Sequence, residues 1–94
     1  MPYMLSHFWP GATEENYLAE IAVVHPSLTT LPAGQLHHFA GHAEGGMLIT
    51  AIWDSKESCD RFVQEILLPA KPIEGGFRNP VVEIAAEIFK DISA

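Results

Sequence analysis

The sequence predicts an α+β domain of β-α-β-β-α-β order, ferredoxin-like in connectivity, with an antiparallel four-stranded sheet and two helices on one of its faces. Three observations carry this expectation. Segments near residues 3–9, 35–42 and 47–53 alternate with period two, as strands do. Two capped segments of helical periodicity follow the first and third of them. A short glycine-bearing link, AEGG, joins the middle pair as a hairpin.

In the first strand Tyr3, Leu5, His7 and Trp9 form one row and Met4, Ser6 and Phe8 the other, until Pro10-Gly11 ends it. Thr13 stands where an N-cap belongs, and Glu14 and Glu15 suit the positive end of a helix. Leu18, Ile21, Ala22 and His25 then fall on one helical face, and Pro26 stops the helix. Asp54-Ser55 offers a second N-cap, before a stripe of Cys59, Phe62, Val63, Ile66 and Leu67 that Pro69 and Pro72 close. The segment VVEIAAEIFKDI reads two ways. It alternates as a strand through Val82, Ile84, Ala86 and Ile88, and it repeats as a helix through Val81, Ile84, Ala85 and Ile88. Its place in the order favours the strand. No repeat, linker or low-complexity stretch divides residues 1–94, so a single domain is expected.

Composition excludes several classes of function. The net charge of −7 would repel a phosphate backbone, and no basic stripe offsets it, so no nucleic-acid partner is expected. Apolar runs of about ten residues are too short for the roughly 20 of a membrane-spanning helix. The N-terminal residues lack the basic region of a secretory signal, and one cysteine allows no internal disulfide; both fit a cytoplasmic protein.

Two helices cover only one face of a four-stranded sheet. The second rows hold Met4, Phe8, Phe39, Leu48 and Ile52, relieved by Gln35, His37 and Thr50, so the uncovered face is apolar as well. A second copy of the chain packed sheet on sheet about a two-fold axis would cover it. The expected partner is the chain itself, as a homodimer.

Three stretches resemble a known family: PGAT (10–13), GQLHHFAG (34–41) and ITAIWDSKESCDRFVQEILLPA (49–70). They are similar to small actinobacterial members of the dimeric α+β barrel superfamily, which includes the antibiotic-biosynthesis-monooxygenase-like proteins. The resemblance spans nearly the whole chain. It implies a dimer whose two sheets form a barrel, and it implies that the last segment is a strand. Its activities are diverse: cofactor-free quinone-forming oxygenases, polyketide cyclases, lactone isomerases, haem-degrading enzymes and members without known activity. The haem enzymes carry an iron-ligating histidine on the second helix, and residues 56–68 here contain none.

Five histidines invite a metal reading, but His37 and His38 point to opposite faces of a strand. His38 and His42 lie four residues, about 13 Å, apart, too far to share a zinc ion. No metal and no cofactor are expected. A two-residue hairpin turn puts His38 on one face with Ile49, Ala51 and Trp53, where an imidazole among apolar groups could act as general base toward a phenol or an acidic carbon. A buried histidine bonded to backbone is the plainer alternative. His7 could reach the same cavity or sit at an interface. His25 would carry partial charge at the negative helix end, or line the pocket. Trp53 and Phe62 would shape that pocket, or simply pack. Cys59 has no basic neighbour to make it a thiolate. The reading is a small dimeric enzyme acting on an aromatic or polyketide-like ligand, cofactor-independent monooxygenation being foremost. The alternatives are a cyclase or isomerase using the same base, and a non-catalytic binding or stress-associated dimer. A cavity of some 300 Å³ would favour an enzyme, and large side chains filling it the non-catalytic dimer.

Overall fold

The computed structural model describes residues 1–94. Strand β1 (Tyr3–Pro10) leads into helix α1 (Glu14–Val24), then β2 (Gln35–Ala43) and β3 (Gly46–Trp53). Helix α2 (Lys56–Phe62), a π-helical turn (Val63–Leu67) and a last turn, α3 (Leu68–Ala70), form one continuous helical segment, and β4 (Val82–Glu87) ends the order. The sheet runs β2-β3-β1-β4 with every pair antiparallel, which is the ferredoxin-like arrangement. The ambiguous last segment is a strand, paired with β1 from Phe8↔Val82 to Tyr3↔Glu87.

Local chemistry accounts for the element ends. Thr13 Oγ accepts the Asn16 N–H at 3.2 Å while Asn16 Oδ1 accepts the Thr13 N–H at 3.0 Å, a reciprocal cap that contributes about 1 kcal/mol. Ser55 Oγ accepts the Ser58 N–H at 3.1 Å and starts α2. The hairpin turns at Glu44-Gly45 between the paired Ala43 and Gly46, and Gly45 takes a φ of +84° that favours glycine. At Gly46 a Cβ would stand 2.2 Å from the Trp9 carbonyl oxygen, so no side chain fits where β1 and β3 meet.

Pro69 does not close its helix as the sequence suggests; the chain absorbs it. Proline lacks an N–H and its ring crowds the carbonyl four residues earlier. The backbone widens just ahead of it, and the Leu68 N–H reaches the Val63 carbonyl, five residues back. The segment ends at Ala70, before Pro72.

The row Tyr3, Leu5, His7 and Trp9 faces the helices, as do Ile49, Ala51 and Trp53. Ala51, Trp53 and Cys59 are buried together, with Tyr3, Leu5, Phe62 and Val63 packed around them. The buried stripe of α1 is turned from the expected one. Tyr17, Glu20, Ile21 and Val24 face inward, and Leu18 is 49% exposed. Glu20 can take an inward position because the Lys71 ammonium pairs with it there.

The opposite face of the sheet is open and apolar. Met4, Phe8, Leu48 and Ile52 share it with Phe39, 61% exposed, and Ile84, 70% exposed. Gln35 does not lie there, contrary to its expected place beside His37. Its register partner is Trp53 while His37 pairs with the adjacent Ile52, so Leu36 is an extra, bulged residue. The bulge inverts the parity of the strand and turns Gln35 inward, where it is buried.

Candidate functional site

A pocket lies between the helix-facing side of the sheet and the helical layer. β1 supplies Leu5, His7 and Trp9, β3 supplies Ile49, Ala51 and Trp53, and β2 supplies Gln35 and His38. Tyr17, Glu20, Ile21 and Val24 line it from α1, His25 from the end of that helix, Phe62, Val63 and Leu67 from the second helical segment, and Lys71 and Phe77 from the loop beyond it. The five positions singled out from the sequence, His7, His25, His38, Trp53 and Phe62, thus converge on one cavity. Its volume is about 80 Å³.

His38 is held at both ring nitrogens. Gln35 Oε1 lies 3.1 Å from Nδ1, and because an amide oxygen only accepts, Nδ1 carries the proton. Nε2 is then an acceptor, and the Tyr17 hydroxyl donates to it at 2.6 Å. Burial pushes the His38 pKa below the ordinary imidazole value and the Tyr17 pKa above that of a free phenol. Both groups are therefore neutral near pH 7. The His25 ring meets His38 edge-on at 4.9 Å and Phe62 at 6.4 Å.

His25 is not the charged helix cap its position suggests. Burial, reinforced by His38, lowers its pKa to about 4. The unfolded chain takes up a proton at this ring near pH 6.5, whereas the folded chain takes it up only near pH 4. Stability therefore falls as pH drops through that window, and His38 adds to the fall in the same sense. Allowing for solvent screening at a half-buried ring, the expected loss is roughly 1–2 kcal/mol. Urea midpoints measured from pH 7 to pH 4 check this. They should decline in the parent chain and decline less in His25→Phe; equal slopes would count against the assignment.

At the other end of the pocket the Glu20 carboxylate pairs with the Lys71 ammonium, which also stands 5.4 Å from the Trp9 ring and 5.7 Å from that of Phe77. Trp9 and Phe77 are stacked at 4.4 Å. Glu20 Oε2 and the Trp53 indole N–H are buried without hydrogen-bond partners in the chain. His7 donates its Nε2–H to the Glu83 carboxylate across the β1–β4 pair at 2.7 Å, and its ring meets Trp9 edge-on. No three His, Cys, Asp or Glu side chains converge as a metal-ligand set. Burial raises the Cys59 thiol to about 11, so it is a packing group at neutral pH.

Sequence reasoning missed Tyr17, Gln35, Glu20, Lys71 and Phe77. The spacing of Tyr17, Ile21 and Val24 on α1 carried a signal for the first. The bulge concealed Gln35, and the loop holding Lys71 and Phe77 has no periodicity to read.

No protein-family model matches the chain, and no curated protein matches its sequence. Solved structures do share its fold. Rv0793 from Mycobacterium tuberculosis superposes with a TM-score of 0.65 at 12% identity, over 98% of each chain. SnoaB from Streptomyces nogalater, named as a cofactor-independent oxygenase, gives 0.64 at 10% identity, over 99% of this chain and 97% of its own. A Deinococcus radiodurans protein that bears the antibiotic biosynthesis monooxygenase name gives 0.60 at 16% identity, over 100% and 98%. The ferredoxin-like chain fold implied by the sequence resemblance, with its last segment a strand, is therefore the fold observed.

Proposed function

We propose that this chain is a homodimeric, cofactor-independent oxygenase of a phenolic or polyketide-type aromatic molecule bound between sheet and helices. The observation that carries the reading is a neutral imidazole, His38, fixed in one tautomer by Gln35 within a largely apolar pocket. Such a group can accept a proton from a phenol or an activated aryl carbon. The resulting anion is electron-rich enough to reduce O₂ itself. In the overall change the phenol O–H and one ring C–H are lost, both carbons become the carbonyls of a quinone, and O₂ is reduced to the new carbonyl oxygen and one molecule of water that carries the two hydrogens. His7, His25, Trp53 and Phe62 would hold and orient the ring. The name borne by SnoaB, a protein of the same fold, supports this chemistry.

The dimer rests on area. The chain exposes 6231 Å², whereas a compact monomer of 10.3 kDa exposes about 5,400 Å². The excess matches the roughly 800 Å² that each partner buries in an ordinary interface. The open apolar sheet face is the surface that would supply it.

One observation favours the second reading, a non-catalytic dimer with a filled interior. The cavity of about 80 Å³ is smaller than the roughly 150 Å³ of an engineered cavity that admits benzene. An aromatic substrate therefore requires the pocket to widen. Native mass spectrometry on untagged protein, followed by oxygen uptake with any ligand released, separates the two. Two chains with an aromatic adduct that supports oxygen consumption are expected. Two chains that carry no adduct and take up no phenol favour the filled interior, and a lone monomer removes the dimer.

A further inference from the structure

Resting on the reading above, we infer that Tyr17 is the catalytic residue that touches the substrate hydroxyl, and that His38 receives the substrate proton through it. The geometry closes the direct route. Nδ1 of His38 is occupied by Gln35, which is buried, and Nε2 by the Tyr17 hydroxyl at 2.6 Å. No ring nitrogen is left to meet a substrate. Tyr17 Oη has one proton, donated to His38, and no other partner in the chain, so its oxygen retains acceptor capacity. The Tyr17 side chain lines the pocket and also borders a groove with Glu14, Leu18 and His42, so it stands at an edge of the cavity.

The step balances without any co-reactant. The substrate O–H bond breaks and its proton forms a new O–H bond on Tyr17. The original Tyr17 O–H bond breaks, and that proton forms an N–H bond on His38 Nε2. No electron moves. The substrate is left as a phenolate that accepts a hydrogen bond from Tyr17, and the imidazolium is held through Nδ1–H by Gln35. Tyr17 cannot be the terminal base, because burial favours its neutral form. The groups facing His38 are Tyr17, Gln35 and the His25 ring at 4.9 Å. None is anionic, so the phenolate itself is the counter-charge.

The test uses 4-nitrophenol, whose phenolate absorbs visible light, bound to the full chain over a range of pH. In the parent protein the bound probe should ionise at lower pH than in water. Tyr17→Phe, which keeps the ring, and His38→Gln, which keeps a polar group, should each move that ionisation back up by roughly one pH unit or more. If Tyr17→Phe leaves it unchanged while His38→Gln raises it, the relay is wrong and the base survives. If neither variant changes it, the base reading fails as well. Absence of saturable binding overturns both, and circular dichroism establishes that the variants are folded.

Discussion

In His38→Ala, turnover should fall by about 10²- to 10⁴-fold, the range a positioned general base contributes, while the dimer stays intact. His38 lies on the helix-facing side of β2, directly opposite Ala51, so its removal does not touch the open sheet face. It does leave the Gln35 amide oxygen and the Tyr17 hydroxyl without their mutual partner. A buried polar atom so orphaned costs roughly 1–3 kcal/mol, and some thermal destabilisation should accompany the loss of activity. His38→Gln restores a polar group in that space without an imidazole's proton affinity. It should be more stable than His38→Ala and equally inactive. Oxygen uptake and native mass on both variants measure this. Retained turnover in either removes His38 from the mechanism.

The second large effect is on assembly. Phe39→Asp should convert the proposed dimer to a folded monomer. Phe39 lies on the open face of β2, 61% exposed, with its ring stacked on His37 at 6.1 Å. A two-fold axis through packed sheets would bury two such carboxylates, one from each copy, at several kcal/mol apiece. Even about 4 kcal/mol in total raises the dissociation constant by roughly 10³-fold. The fold should persist, because Phe39 is exposed and the buried core cluster of Ala51, Trp53 and Cys59 packs on the other side of the sheet. Sedimentation measures the state directly. A dimer that survives Phe39→Asp assembles through some other surface.

What the sequence disclosed follows from how each signal arises. Alternation in Tyr3–Trp9 and in Met47–Trp53 is a short-range consequence of the pleat, and the hairpin link preserves it, so His38 could be placed beside Ile49, Ala51 and Trp53 in advance. Thr13 and Ser55 announce helix starts because the orphan N–H groups there need an oxygen. Three features stayed hidden, the first two because their causes are tertiary and the third because the backbone has a local alternative to a stop. Glu20 turns inward since Lys71, 51 residues away, neutralises it. His25 loses its charge to burial by elements that its own neighbours do not reveal. Pro69 is accommodated by a π-helical turn where local rules ask for a stop.

The bulge at Leu36 has a diagnostic consequence. In an unbroken strand, residues three apart point in opposite directions, so Gln35 and His38 could not meet. One surplus residue converts the spacing Gln-x-x-His from a separation into a contact. Shortening the strand by that residue would leave every hydrophobic side chain of β3 in place, yet it would take the amide away from Nδ1 and free the imidazole to exchange tautomers. The protonation pattern of the site is thus written in the length of a strand as much as in the identity of its residues.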